Sequence, residues 1–279
     1  MQKAKKLSMT KDNERIFKDQ IDFFNKNAAL IKSDVVSPFF LEYVNKEQKA
    51  GFAWLADREY VLDYGCGTGT SIDAFLKHNL QGNYRFIGVD IADVAIQIVK
   101  KKYPIFTFYT INNNNIPELL NNSMDGAYLL HVLHHSADHE AIFLEIYNKL
   151  RQGGKLFLSD MSSNNPLIKI SRNMFKFTPH FVKQRFADDL VVDGAIPDKY
   201  KVDPNTVVAQ LKAVGFSVAE IGHGHLFVFF FSWVDRFIPF SRLAICRGLY
   251  SVLWAIEDLL LKCRFFQKRA EVFYIKCVK

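Results

Sequence analysis

The sequence has few cysteines and no long apolar run. Its cysteines, Cys66, Cys246, Cys263 and Cys277, lack the paired spacing that marks zinc or redox sites, which indicates a reduced protein. The strongest apolar run, 226–231, is far shorter than the roughly 18 residues that a membrane-spanning helix needs. The basic first residues are not followed by the apolar core of a signal peptide. We therefore expect a cytoplasmic protein whose membrane contact would be peripheral.

A concentrated patch of charge is also missing. The formal net charge of +7 is spread over many lysines and arginines and forms no dense basic stripe. No Asn-Pro-Pro-aromatic signature of base-flipping enzymes follows the fourth predicted strand, so we expect no nucleic-acid partner. At 279 residues the chain can form one large domain, and no feature of it requires a second.

Short apolar segments alternate with helical patterns from residue 60 onward. This alternation is typical of a parallel sheet with helices on both faces, and it predicts an α/β, Rossmann-like fold. Five candidate strands are Tyr60–Asp63, Arg85–Asp90, Ile105–Tyr109, Gly126–Leu130 and Lys155–Asp160. Two more, Phe216–Ile221 and Glu271–Val278, are expected to pair antiparallel at the sheet edge, which completes a mostly parallel, seven-stranded sheet.

We expect a single domain over residues 1–279 with four parts. Residues 1–58 carry amphipathic aromatic patches and predict an N-terminal helical cap, and residues 59–160 form the core of the sheet. Residues 161–202 are irregular, which suits a lid or a substrate-side insertion. Residues 203–279 add a helix, predicted to begin at Asp203 and Pro204 and to end at Gly215, and two strands. A hydrophobic helical insertion, 222–269, separates those two strands.

The turn after the first strand is rich in glycine. Glycines at 65, 67 and 69 permit positive φ angles and a close approach of ligand to backbone. A nicotinamide fingerprint would place its third glycine at position 70, which is Thr70 here. Asp63, two residues before the first glycine, would repel a pyrophosphate but suits the ammonium group of S-adenosylmethionine. The turn therefore favours S-adenosylmethionine over a dinucleotide.

A second acid stands at the end of the second strand. Asp90 closes the segment Phe86–Asp90, and a carboxylate there can accept hydrogen bonds from both ribose hydroxyls of a nucleoside. Glycine turns and strand-end acids are each common, but their spacing by one helix and one strand makes coincidence unlikely. Asp90 is therefore predicted to hold the cofactor ribose.

These motifs resemble the class I S-adenosylmethionine-dependent methyltransferases of the small-molecule type. The resemblance rests on the glycine loop at 63–69, written DxGCGTG, and on a Gly-Gly turn at 153–154 before the fifth strand. It is strong over residues 58–160 and looser over 203–221 and the last strand. In that family an Asp usually meets the adenine amino group where Asn112 stands, ahead of Ile116 and Pro117. Asparagine can still accept a hydrogen bond, so adenine binding is expected with an altered contact.

The resemblance implies a set of cofactor-binding residues. They lie in the glycine loop, after the second and third strands and at the end of the fourth. The predicted set is Asp63, Gly65, Cys66, Gly67, Thr68, Gly69, Asp90, Ile91, Asn112, Asn113, Leu130 and His131.

Histidines cluster after the fourth strand, at 131, 134, 135 and 139. On one helix face His131, His135 and His139 could hold zinc. A loop break at 136–138 would spoil that spacing, and the family resembled often carries a histidine pair there without a metal, so no metal is predicted. His131 is instead the candidate general base, because histidine titrates near neutral pH. A packing role for His131, and a basic or merely solvated role for Asp160, stay open.

The insertion contains a predicted helix, 243–262, with a narrow polar stripe. So little polar surface predicts burial on several sides. The helix could cap the core, form a homodimer interface, or line a pocket or membrane contact for a lipophilic acceptor.

The sequence thus predicts a methyltransferase that moves the methyl group of S-adenosylmethionine to a small acceptor by in-line displacement. The hydrophobic insertion is compatible with a lipophilic acceptor. A nicotinamide oxidoreductase and a methyltransferase-like binding module without catalysis are the alternatives.

Overall fold

The computed structural model describes residues 11–28, 38–78, 83–111, 114–162, 202–228, 231, 235 and 240–279. The helices are α1 (Lys11–Asn27), α2 (Pro38–Leu55), α3 (Thr70–His78), α4 (Asp93–Lys102), α5 (His139–Lys149), α6 (Pro204–Val214), α7 (Ala244–Leu260) and α8 (Arg264–Gln267). The strands are β1 (Tyr60–Tyr64), β2 (Arg85–Asp90), β3 (Thr107–Thr110), β4 (Met124–Leu130), β5 (Leu150–Met161), β6 (Ser217–Gly224) and β7 (Val272–Val278).

The strands form one seven-stranded sheet in the order β3-β2-β1-β4-β5-β7-β6. The pairs among β1 to β5 are parallel, and β7 runs antiparallel to both β5 and β6. The mostly parallel sheet and the antiparallel pairing of the last two strands are therefore confirmed. Strand order reverses at β1, which lies between β2 and β4. In open α/β sheets ligands bind at such a switch point, outside the carboxyl ends of the strands.

The sheet separates two apolar layers. One face packs Phe52 of α2 and Phe75 of α3 against Tyr128 and Phe157 of the sheet. The other face packs residues of α5 and α6 against β1, β4 and β5. Helix α2 approaches closely, because a Cβ at Gly51 would lie 2.3 Å from the Phe157 ring. Packing on both faces of the sheet holds the ends of the strands in place.

Two predicted boundaries have different outcomes. Helix α6 begins where expected, since the Asp203 carboxylate accepts a hydrogen bond from the Thr206 amide (2.9 Å), and Gly215 ends it with φ +119°. The fifth strand, predicted over Lys155–Asp160, begins earlier than expected, at Leu150. Helix α5 ends at Lys149 because Leu150 already pairs with Met124 in the sheet. Most of the predicted lid, 161–202, lies outside the described residues.

Helix α7 confirms the predicted helix, but its predicted burial on several sides was wrong. Leu249, Val252, Ile256 and Leu259 are exposed. None of the helices in the described ranges is long and apolar enough to span a membrane.

Candidate active site

Three loops meet at the carboxyl end of the parallel strands. They follow β1 (65–69), β2 (91–92) and β4 (131–138). The first two are joined directly, because the amides of Gly65 and Cys66 both donate to the Val89 carbonyl, at 2.8 and 3.0 Å. The third is joined to β5 through the His131 amide, which donates to the Ser159 carbonyl (2.8 Å).

Glycine is required at two points of the first loop for different reasons. Gly65 has φ +83°, and a Cβ there would lie 2.4 Å from a methyl carbon of Val132. This glycine lets the first and third loops pack together. Gly67 has φ +49°, and a Cβ there would meet nothing within 4 Å. The Gly67 backbone therefore faces open space, into which a ligand can approach.

Asp90 ties the first two loops together. One carboxylate oxygen accepts a hydrogen bond from the Gly67 amide (2.9 Å) and the other from the Ala92 amide (2.9 Å). Burial raises the pKa of this carboxyl, although the backbone hydrogen bonds act in the opposite direction. Each carboxylate oxygen keeps a second lone pair for a further donor. Ribose binding by Asp90 stays a prediction that this geometry permits.

The side chain of Asp63 is buried and hydrogen-bonded within the protein. Its carboxylate accepts hydrogen bonds from the Ser71 hydroxyl (2.7 Å) and from the Tyr128 hydroxyl (2.9 Å). Burial raises the pKa of Asp63 to about 7. The carboxyl thus joins the end of β1 to α3 and β4, a connection that sequence reasoning did not find. A direct bond from Asp63 to a cofactor ammonium stays a prediction.

The remaining predicted cofactor residues differ in position. Cys66 is buried, and burial raises the pKa of its thiol. Thr68, Ile91 and Leu130 are half-buried around the same loops, and Gly69 is buried beneath them. Asn112 and Asn113 lie outside the described residues.

Their neighbour Asn114 was missed. It has φ +58°, is buried, and its side-chain oxygen accepts a hydrogen bond from the Tyr64 hydroxyl (3.3 Å). Asparagine tolerates the left-handed region better than most residues, and this was the available signal in the asparagine run.

His131 stands directly after β4 in a strained conformation. Its φ of +55° is uncommon for a residue other than glycine, and such strain clusters at functional sites. The side chain is half-buried, and its ring lies 6.3 Å from that of His134, centroid to centroid. His131 therefore lies at the carboxyl end of β4, where the three loops meet.

His134 is paired with Asp160, which the sequence had left as a base or a solvated acid. Asp160 is wholly buried, and its carboxylate lies 2.7 Å from Nδ1 of His134. The same carboxylate accepts hydrogen bonds from the amides of Leu133 and Met161, both at 2.7 Å. Burial raises the pKa of Asp160, but the charge and hydrogen bond of His134 outweigh it and hold this pKa below its usual value.

Three potential metal ligands also meet here. The ligand atoms of His131, His134 and Asp160 lie within 4.8 Å of one another. However, a metal would have to displace the His134 hydrogen bond from a carboxylate that two backbone amides already engage, so the set fits a hydrogen-bonded cluster better. The zinc face first considered does not form. Leu133–His135 is a short 3-10 helix, and His139 begins α5, so the expected break of the helical spacing is confirmed.

Helix α1 contacts the loop after β4 and the first turn of α4. The Gln20 side-chain amide donates to the His135 carbonyl, and the Asn25 side chain accepts from the Val94 amide (3.0 Å). Phe24 packs edge-on against the His135 ring at 5.2 Å. Burial lowers the pKa of His135 to about 3, so this imidazole is neutral at physiological pH.

Comparisons with known proteins match the part of the chain that contains these loops. A family model described as a methyltransferase domain matches residues 62–158, which run from β1 into β5. An O-methyltransferase of Pyrenophora dematioidea is 28% identical over 110 residues, or 37% of this chain and 39% of that protein. The chain therefore spans about two fifths of the length of that relative.

A longer match comes from the juvenile hormone acid O-methyltransferase of Bombyx mori. It is 25% identical over 205 residues, which cover 72% of this chain and 69% of that protein. Among solved structures, a SAM-dependent methyltransferase from Aquifex aeolicus superposes with a TM-score of 0.54 at 13% identity and covers 91% of this chain and 97% of its own. At this identity the structural likeness is one of fold.

Proposed function

We propose, from the premise that this chain is a member of the class I S-adenosylmethionine-dependent methyltransferases, that it methylates an oxygen atom of a small, lipophilic molecule. The observation that carries the proposal is the loop geometry at the switch point. The Gly67 amide is held by Asp90 while the Gly67 backbone faces open space. This arrangement combines a ligand-accessible loop with an acid at the end of β2.

The described residues fit S-adenosylmethionine better than a dinucleotide. Asp90 can accept hydrogen bonds from ribose hydroxyls, and Gly65 to Gly69 would lie along the rest of the molecule. Thr70 stands where a nicotinamide fingerprint has its third glycine. When bound, S-adenosylmethionine supplies an electrophilic methyl group on a sulfonium. The protein's own contribution is to hold donor and acceptor in line, which can lower such a barrier without covalent catalysis.

His131 is the residue that we propose to take the acceptor's proton. A hydroxyl acceptor loses its proton as the new C–O bond forms, and the half-buried imidazole of His131, directly after β4, can accept this proton. A carboxylate acceptor would need no base. The pair of His134 and Asp160 then acts as a positioning pair behind His131.

The nature of the acceptor is proposed from relatives and composition. Both relatives described above are named as O-methyltransferases, and one of these names specifies juvenile hormone acid. The 26 phenylalanines of this chain add an aromatic content that suits a lipophilic ligand.

Calorimetric titration with S-adenosylmethionine, S-adenosylhomocysteine and NAD tests the cofactor. Binding of the first two at micromolar affinity, about −8 kcal/mol, with none of NAD is the expected result. Binding of NAD alone would overturn the proposal. Release of S-adenosylhomocysteine with a panel of lipophilic phenols and carboxylic acids then tests turnover. Tight cofactor binding without release for any acceptor would favour the non-catalytic binding module.

A further inference from the structure

Helix α7 presents an apolar face to the outside of the protein. Ile245, Leu249, Val252, Ile256 and Leu259 have exposed fractions of 81, 56, 57, 45 and 64%. At the 3.6 residues per turn of an α-helix, these five positions fall within an arc of about 80°. Phe265 of α8, 56% exposed, lies just beyond the end of the helix. We call these six residues the α7 outer face.

The opposite side of α7 is already packed on the protein. Tyr250 stacks on Phe39 with ring centroids 3.9 Å apart, and its hydroxyl donates to the Phe39 carbonyl (3.1 Å). The buried carboxylate of Glu257 accepts the amides of Phe227 and Val228, both at 2.8 Å. The contacts of its inner side therefore hold the helix on the protein, and the α7 outer face takes no part in these contacts.

The segment of the chain that carries the α7 outer face is strongly cationic. Residues 240–270 contain six basic residues and only two acids. Of the acids, Glu257 is buried, and Asp258 pairs with Lys46. The basic residues are Arg242, Arg247, Lys262, Arg264, Lys268 and Arg269. The Arg269 guanidinium lies over the Phe265 ring, 3.8 Å from its centroid.

We propose that the α7 outer face docks the protein on an anionic lipid surface, with the helix lying in the plane of the interface. An apolar helix face flanked by cations is the pattern that binds at the boundary of headgroups and acyl chains. Anionic headgroups complement the excess of basic residues in 240–270, whereas a second copy of this chain would bring cations against cations. At 17 residues, α7 is long enough to lie along a membrane surface.

The proposal does not depend on methyl transfer, so its test needs no acceptor. Flotation with phosphatidylcholine vesicles that contain phosphatidylglycerol is expected to capture the 279-residue chain. Capture should weaken with phosphatidylcholine alone and at high salt, because the cations would then be unpaired or screened. The double variant Leu249→Glu with Ile256→Glu should reduce partition at least about tenfold, because it puts carboxylates where acyl chains would lie.

A matched control uses the same chemistry elsewhere on the surface. Ile105 and Leu120 are 83 and 77% exposed and lie at the opposite end of the strands from the loops. The double variant Ile105→Glu with Leu120→Glu should bind vesicles like the unchanged protein. Circular dichroism and thermal unfolding of both double variants exclude a folding defect as the cause.

A label provides a second, independent measurement. Cys263 is exposed between α7 and α8, whereas Cys66 and Cys277 are buried. With Cys246→Ser, an environment-sensitive fluorophore on Cys263 should shift its emission to the blue when anionic vesicles are added. Vesicle binding that is equal for both double variants, or an unshifted label, would overturn the proposal. So would a protein that ignores vesicles but forms a dimer that Leu249→Glu with Ile256→Glu dissociates, because the face would then seat a second copy.

Discussion

Asp160 fixes the orientation of His134 through a buried hydrogen bond of 2.7 Å to Nδ1. Because the pKa of Asp160 is held below its usual value, the carboxylate is ionised at neutral pH and His134 donates to it from Nδ1. The negative charge also acts on His131, whose charge is one of those that lower the Asp160 pKa. The buried charge of Asp160 in β5 therefore acts on His131, the residue proposed as the base.

Asp160→Asn removes the negative charge that acts on His134 and His131, and with it an electrostatic stabilisation of the protonated form of the proposed base. The acidic limb of the pH–kcat profile should move to lower pH, and kcat should fall by about tenfold or more. Asp57→Asn, which changes an exposed acid paired with Lys155, should leave the profile unchanged. An unmoved limb would show that Asp160 has no electrostatic connection to the base.

His131 is tested by replacement with Ala, with cofactor affinity and turnover measured separately. We expect turnover to fall about a hundredfold while cofactor affinity changes little, because general-base catalysis typically contributes at least that much. Retention of both would make His131 a packing residue. Loss of both in equal measure would assign it to the cofactor.

Asp90 is tested by replacement with Asn, which keeps one oxygen for the Gly67 or Ala92 amide. Loss of the charge should weaken S-adenosylmethionine binding about tenfold, because hydrogen bonds to a charged acceptor are worth about 1.5–3 kcal/mol. Calorimetry gives the affinity, and thermal unfolding without ligand checks the fold. Glu220→Gln, at the far edge of the sheet, is the matched control. Unchanged affinity would contradict the ribose assignment.

Sequence alone predicted the sheet and most of the loop residues because those signals are local. Each strand and each helix is indicated by the apolar pattern of its own residues. In the same way, Asp203 and Gly215 mark the two ends of α6 through contacts with residues close to them in sequence. The position of Asp63 could not be predicted in this way. Its partner Tyr128 is 65 residues away in sequence and becomes a neighbour only when β4 pairs with β1.

The same limit applies to α7 and to the histidine cluster. An apolar helix has the same composition whether its broad face covers a core or faces outward, and the contacts from Phe39 and Phe227 decide which side is packed. The pairing of His134 with Asp160 depends on a left-handed residue at 131 and a short 3-10 turn after it. No local sequence pattern specifies either feature.

The two loop glycines should respond differently to replacement by Ala. Gly65→Ala places a methyl group 2.4 Å from Val132 at positive φ, so the free energy of unfolding should fall by about 2 kcal/mol or more. Gly67→Ala meets no neighbour and should cost only about 1 kcal/mol, yet it should weaken cofactor binding because its methyl group enters the open space. Urea unfolding and calorimetry separate the two effects. A stable Gly65→Ala, or a Gly67→Ala with full affinity, would contradict this assignment of the loop faces.

Asp63 should make stability depend on pH between about 4 and 7. Its pKa is raised from 3.8 to about 7 in the folded protein by burial, so the folded state keeps a proton that the unfolded chain has lost in this range. Stability from this group is therefore fully present below pH 4 and is lost as pH rises toward 7, by up to about 1.4 kcal/mol per unit. Asp63→Asn keeps an oxygen for Ser71 or Tyr128 but cannot ionise, so its urea midpoint should fall less between pH 5 and pH 7. Ser71→Ala should steepen the fall, because the Ser71 hydrogen bond lowers the Asp63 pKa. Parallel curves for the unchanged protein and Asp63→Asn would show that this carboxyl ionises normally in the folded protein.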